Sequence, residues 1–426
     1  MSLSKRLRLT ELSLLIIPAA LAILGAALMS FVRKGEMVGE QIYPSFIIVG
    51  LLLLMHVFLT WRRPASDQVL MPLTGALVAL GLTLVSRLAP SHYGRQIAWI
   101  VFGYFLAILI VSLPGSIRWL KQYKYTWAFL GIGLVATTMV FGVDPNGSGM
   151  RLWLGFGDLL FQPSEVLKVL SVLFVAAYLD DNRELLSVDS FKFGPVKLPP
   201  IPYLMPLLVM WGLSVLLLFG QKDLGPTFLL FGVFLAMLYA ASSRSVYVWA
   251  GLGLLLVAVL ASYLAFTHAR TRIDIWLDPW SDPQGKSYQV VQGLVAFASG
   301  GIFGSGLGFG YPLLIPAVYT DFPMAAIGEE MGLLGTLSVV LLYMVFAYRG
   351  LKIALDAKDG FHQLVAMGLT ITLGLQAIII IAGNLKLIPL TGITLPFISY
   401  GGSSLAANFV ILGLLLRISD STRGAS

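Results

Sequence analysis

Apolar runs of about 20 residues recur along almost all of this 426-residue chain, and no other feature narrows its fold so far. A helix of that length crosses the hydrocarbon core of a bilayer, where every peptide group must find its partner inside the protein. Strands of a membrane barrel would alternate apolar and polar residues, which these runs do not, so the spans are helices. The expected fold is an all-α polytopic membrane protein with about twelve transmembrane helices. They fall at 11–31, 43–61, 69–88, 95–113, 124–142, 164–180, 203–219, 225–241, 246–266, 323–347, 361–383 and 401–417. Composition agrees, with 58% apolar residues, 12% charged residues and a mean hydropathy of +0.87, which excludes an ordinary soluble globule. Lys5, Arg6 and Arg8 precede the first run, as in a secretory leader. That run is long, lacks a small-residue cleavage pattern and is followed by many like it, so it reads as a first span.

The net charge of +7 has a membrane explanation too. With both termini inside, roughly 17 Lys and Arg side chains fall on the inner face and 10 on the outer, as the positive-inside rule requires. Nucleic acid is not needed to account for the excess. The absence of cysteine excludes disulfides, thiol nucleophiles and cysteine metal sites, and His56, His92, His268 and His362 show no ligand spacing. Two outer loops stand out. One, at 143–163, holds Asn146, Arg151, Trp153 and Gln162. The other, at 267–322, is the longest connection, rich in Trp, Tyr, Gly and Pro, with a helix-like stretch at 287–299; long loops of this kind usually carry function. The inner segment 181–202, ending in Pro199-Pro200, reads as a connector.

Several strings could carry chemistry. Gln162-Pro163-Ser164 opens the sixth run as a helix start, with Ser164 able to cap. Glu165 and Lys168, three residues apart, share one helix face and can pair. Lys168 enters an apolar span, where a charge faces the protein interior or a watery cavity. It is either half of a structural ion pair or a cation for an anionic substrate group. Lys222-Asp223 reads as a short outer turn with Asp223 capping the next helix. The long loop carries Arg270, Arg272, Asp274, Trp276, Asp278-Pro279-Trp280-Ser281-Asp282-Pro283 and Ser287-Tyr288-Gln289. Aromatic faces stack on sugars, arginines grip phosphate, and a carboxylate can take a proton from an attacking hydroxyl. The same residues also suit Asp-Pro turns and an interfacial aromatic belt. The glycine-rich run 300–310 lacks the preceding strand that a nucleotide loop needs, so close backbone packing explains it better. Thr320-Asp321-Phe322-Pro323 and Gly328-Glu329-Glu330 add acidic groups at the outer end of the tenth span. Leu395-Pro396-Phe397-Ile398-Ser399-Tyr400-Gly401-Gly402-Ser403-Ser404 breaks the chain before the last one, where an irregular polar segment tends to line a cavity.

Taken in order, these strings resemble the SEDS family (shape, elongation, division and sporulation), the family of RodA, FtsW and SpoVE. They are Arg151-Leu152-Trp153 with Gln162-Pro163-Ser164-Glu165 and Lys168, Asp223-Leu224-Gly225, Pro279-Trp280 with Asp282-Pro283 and Tyr288-Gln289, Thr320-Asp321-Phe322 with Gly328-Glu329-Glu330, and the Leu395–Ser404 run. The resemblance covers roughly 69–417 and implies a ten-helix core at 69–426. Residues 1–68 then form a two-helix N-terminal extension, as in the longer branch of the family. Pro323 departs from the family pattern, which has an apolar β-branched residue there.

The resemblance implies a peptidoglycan glycosyltransferase of the bacterial cytoplasmic membrane. It would join lipid II into β-1,4 glycan strands on the outer face, releasing undecaprenyl pyrophosphate, for cell elongation or division. The implied partner is a class B penicillin-binding protein, the transpeptidase. The family's catalytic Asp maps onto Asp282, and its functional lysine onto Lys168. Substrate contacts would come from Arg151, Gln162, Ser164, Glu165, Asp223, Arg270, Arg272, Trp280, Tyr288, Gln289, Asp321, Glu329, Ser399 and Ser403, with Mg²⁺ or Mn²⁺ as a family-based expectation. Partial burial would make Asp282 a better base. The rival readings are a lipid II flippase, which would use a like cavity without chemistry, and a non-catalytic scaffold for the transpeptidase.

Overall fold

The computed structural model describes residues 8–35, 39–114, 117–144, 147, 149–157, 159–183, 191–193, 196–198 and 201–423. Lys5, Arg6, Asn146 and the Pro199-Pro200 end of the connector at 181–202 lie outside the described residues. The apolar runs are helices. They are α1 (Ile16–Lys34), α2 (Gly39–Arg62), α3 (Leu70–Leu88), α4 (Tyr93–Ser112), α5 (Lys124–Phe141), α6 (Pro163–Asp181), α7 (Ile201–Gly220), α8 (Leu224–Ser242) and α9 (Ser245–Ala265). The long loop at 267–322 contains α10 (Thr267–Leu277) and α11 (Tyr288–Gly300), and the chain finishes with α12 (Pro323–Asp356), α13 (Gly360–Asn384) and α14 (Gly402–Arg423). Among the described residues, 10 helices are long and apolar enough to cross a membrane. The remaining expected spans, 164–180 and 203–219, coincide with α6, which carries Glu165, Lys168, Asp180 and Asp181, and α7, which is apolar over Met205–Gly220.

The helices form two compact units. The first comprises Met1–Leu113, Ser262–Arg349 and Gln376–Ser426, and so contains the whole N-terminal extension; the second comprises Pro114–Ala261 and Gly350–Leu375. In the first unit α14 lies along α4, while α1 packs on both α3 and α2. The centre is held by α3 and α14, whose spans are 78% and 89% buried, against 28% for the first span. In the second unit α6 is buried along most of its length against α5 and α8.

Buried charge fixes the extension in the first unit. Arg8 and Glu11 are fully buried and paired, and His56 Nδ1 lies 2.7 Å from Glu11 Oε1. The Arg8 guanidinium also donates to the Ser66 carbonyl at 2.9 Å, the Ser66 hydroxyl at 2.7 Å and the Asp67 carbonyl at 3.0 Å. Asp67 in turn accepts from the N–H groups of Val69 and Leu70 at 2.9 and 3.1 Å and pairs with Arg349. The linker into α3 is therefore ordered by a cation from the start of the chain. Removing one partner of a buried ion pair strands the other and costs about 3–5 kcal/mol. Glu11→Ala should thus lower the thermal unfolding midpoint of the purified protein clearly, and an unchanged midpoint would show that the cluster contributes no stability.

Candidate active site

The expected residues divide between the two units, and each set has its own geometry. In the first unit the glycine-rich run 300–310 lies beside a break in α12, where Gly332 takes φ 67° and ψ −163°. Ser305 and Gly306 donate to the Glu329 and Glu330 carbonyls at 2.9 and 3.0 Å, and Leu333 donates to the Gly301 carbonyl at 2.9 Å. These bonds supply partners to backbone groups that a broken helix leaves open. The approach needs glycine: a Cβ at Gly304 would lie 2.3 Å from the Glu330 carbonyl oxygen. Glu329 and Glu330 are buried and serve this seam. Glu329 accepts from the Tyr311 N–H at 2.7 Å, and Glu330 pairs with Arg87 at 3.2 Å.

From the seam, α11 leads back to Asp282. The carboxylate of Asp282 is exposed and accepts from the Lys286 N–H at 3.0 Å, while its carbonyl accepts from Gly285 and Ser287 at 3.2 and 3.3 Å. Gly285 lies so close that a Cβ there would fall 2.4 Å from both carboxylate oxygens. Asp278 makes the matching contact with the Trp280 N–H at 3.2 Å. Both Asp-Pro pairs therefore build turns, and Asp282 presents its carboxylate on one of them. The partial burial that would make Asp282 a better base is not found; the side chain stands in the open. Trp280 is exposed, whereas Tyr288 is half-buried at the start of α11.

Beyond the helix-like stretch expected at 287–299, which is α11, the loop contains α10, and this second helix separates the two arginines. Residues two apart project on different sides of a helix. Arg270 is exposed, 3.9 Å from Asp274 and stacked over Tyr263. Arg272 turns instead into a cavity of about 230 Å³, where Gln289 and Asp321 also form the wall. Its guanidinium donates to the carbonyls of Leu390 and Thr391 at 3.2 and 3.1 Å. Gln289 donates to the Pro316 carbonyl at 2.8 Å. Burial pushes the Asp321 carboxyl above its ordinary pKa, with the Thr320 hydroxyl and the Arg272 charge opposing the rise. Behind this wall Asn384 donates to the Asp321 carbonyl at 2.7 Å, and the Ser399 hydroxyl donates to the Thr320 carbonyl at 2.7 Å. Ser399 and Ser403 are buried, so the polar run before α14 braces the Thr320-Asp321 turn from behind instead of lining the cavity.

In the second unit, Gln162 is the residue before α6 and Pro163 its first. Ser164 does not cap the helix; it is buried in the first turn, where its hydroxyl meets no hydrogen-bond partner among the described residues. Nor does Asp223 cap α8 with its side chain: it accepts from the Gln162 side-chain amide at 3.2 Å, joining two motif residues far apart in sequence. Glu165 and Lys168 form the expected ion pair at 2.5 Å and are both buried. Arg151 is exposed, beside the Val143–Trp153 bridge. Among the described residues no group of three or more His, Asp or Glu side chains is placed to hold a metal ion.

A family model described as cell cycle protein, FtsW/RodA/SpoVE, matches residues 68–424. The chain belongs to the FtsW/RodA/SpoVE family. Its match to the family begins at the Asp67 linker and leaves α1 and α2 outside. Among relatives in the FtsW/RodA/SpoVE family, peptidoglycan glycosyltransferase RodA of Mycobacterium tuberculosis is 38% identical over 379 residues, covering 86% of this chain and 81% of that protein. A probable peptidoglycan glycosyltransferase FtsW of Thiomicrospira cyclica is 35% identical, covering 85% of this chain and 95% of that one. Among solved structures, a chain of a peptidoglycan synthase complex, studied for its structural coordination of polymerization and crosslinking, superposes with a TM-score of 0.68 at 28% identity. That match covers 84% of this chain and 98% of the other. Rod shape determining protein RodA of Thermus thermophilus gives a TM-score of 0.59 at 26% identity, covering 84% and 97%.

Sequence reasoning missed His268, Lys286 and Lys386, which also line the cavity. The first had a usable signal: His268, Arg272 and Trp276 recur at a helical spacing of four, the mark of one face of α10. Lys386 lies more than a hundred residues away, and nothing local pointed to it. The seam makes its own prediction. Gly304→Ala should open it, speeding hydrogen exchange of the Ser305 and Gly306 amides at least tenfold. Unchanged exchange at those amides would show that the close approach is not what holds the loop.

Proposed function

We propose that this chain polymerises lipid II on the outer face of the bacterial cytoplasmic membrane. It is a peptidoglycan glycosyltransferase, as its relatives in the family are named. The observation that carries the finer reading is the turn at Asp282. An exposed carboxylate is fixed by the Lys286 N–H, and the same Lys286 lines the cavity that also holds Arg272, Gln289 and Asp321. A base must reach its proton from a fixed position, and a turn locked by its own backbone provides one. Asp282 takes the proton from the 4-hydroxyl of the acceptor GlcNAc as that oxygen attacks the anomeric carbon of the donor MurNAc. The bond from that carbon to the phosphate oxygen breaks, undecaprenyl pyrophosphate leaves with the electron pair, and configuration inverts to β-1,4. Arg272 is the arginine in position to grip the diphosphate, since Arg270 faces elsewhere. Lys168 is assigned a part in the same reaction on the family resemblance.

The proposed partner is a class B penicillin-binding protein. Support comes from the similar chain in a complex concerned with both polymerization and crosslinking. Polymerisation of labelled lipid II, with and without such a partner, tests the reading. Asp282→Asn should lose at least a hundredfold in rate, the usual worth of a general base, and Gly285→Ala should lose about tenfold by displacing the carboxylate without removing it. Near-normal polymer from Asp282→Asn would leave the residue a turn-former and remove the mechanism.

The same proposal puts both termini in the cytoplasm and the Asp282 loop outside. Because the chain has no cysteine, any introduced thiol is unique. In intact cells an impermeant maleimide should label Ser281→Cys and spare Ser421→Cys. The reverse pattern would invert the topology.

A further inference from the structure

We infer that Lys286 and Lys386, together with Arg272, form a binding subsite for a phosphate group carried on a lipid. This deepens the glycosyltransferase reading and rests on it for the identity of the lipid, though not for the binding itself. The cavity is bordered by one face of α10, the first turn of α11 and the turn that ends α13. Three permanent cations meet there, against the single carboxylate of Asp321. Arg272 has an anchored guanidinium and a charge that already acts on Asp321. The two lysines differ: among the described residues neither ammonium has an ion-pair partner, although both side chains line the same space. Lys286 is exposed and Lys386 half-buried, so an anion entering the cavity would meet both cations as well as Arg272.

The backbone holds both lysines in place. Lys386 sits just past α13 with φ 56°, in the left-handed region where glycine is usual. A side chain there is strained, and such strain persists where the surroundings enforce it. Here they do: Lys386 donates to the Gly383 carbonyl at 3.2 Å, and its own carbonyl accepts from the Trp276 indole at 3.1 Å. Lys286 is held through its N–H on Asp282. The anion subsite and the proposed base are therefore linked through a single residue. A volume of about 230 Å³ falls below the ~300–1,000 Å³ of whole-ligand clefts. It suits a phosphate or diphosphate headgroup. Such a group is presented at the membrane surface either by the lipid-linked sugar diphosphate or by an anionic bilayer lipid.

The test uses the full chain in phosphatidylcholine nanodiscs and two probes, labelled inorganic pyrophosphate and phosphatidylglycerol. Each is measured on wild type, Lys286→Ala/Lys386→Ala and Lys286→Arg/Lys386→Arg, with thermal midpoints to confirm folding. Pyrophosphate binding should weaken at least tenfold in the double alanine variant and recover in the double arginine variant, assigning the subsite to the substrate diphosphate. The same pattern for phosphatidylglycerol alone would support the subsite and give it to a bilayer lipid. Equal binding of both probes by wild type and the folded alanine variant would overturn it. Asp282→Asn should bind pyrophosphate as wild type does. Loss of polymerisation together with intact binding therefore separates failure of the catalytic assignment from failure of the subsite.

Discussion

Nonhelical backbone is hard to keep at the edge of a membrane, because each open N–H and carbonyl there must be matched from within. The first unit meets that demand at the seam between residues 300–306 and the broken turn of α12. Glycine at 304 and 332 lets two backbones approach as strands do, closer than any side chain would permit. Because the seam is satisfied, α11 has a fixed C-terminal end. Because that end is fixed, the turn holding Asp282 at the other end of α11 is presented in one place.

The rest of the candidate site follows the same logic of support from behind. The Thr320-Asp321 turn carries a carboxyl to the cavity wall, while its carbonyls are occupied by Ser399 and Asn384. Glu330 is neutralised by Arg87, and Glu329 takes the N–H of Tyr311. Several motif residues therefore hold the site's shape. Arg272, Trp276, Gln289 and Asp321 line the cavity itself.

The helices were legible because a span is written in consecutive residues: the run at 69–88 became α3 within one position, and the run at 401–417 became α14, which continues six residues further. The pairing of Glu165 with Lys168 was legible for the same reason, three residues on one helix. Contacts between distant residues were not. Gln162 with Asp223 depends on how α6 and α8 pack, and Lys386 reaches the cavity through the way α13 ends. Helix α10 was hidden because its charged residues outweigh its apolar face, so it lacks the hydropathy that marked the spans. Ser164 and Asp223 fit capping rules by type and position, but Gln162-Pro163 begins α6 one step earlier and the Gln162 amide takes the Asp223 carboxylate.

The buried position of Arg8 bears on how the chain is made. Its guanidinium is satisfied by groups 55 to 59 residues further on, at Arg63, Ser66 and Asp67. During synthesis those groups emerge only after α2 has followed α1 out of the ribosome. Until then the cation has Glu11 alone for company. The first two helices are therefore tied together through Arg8 only once the linker at 63–67 has been made.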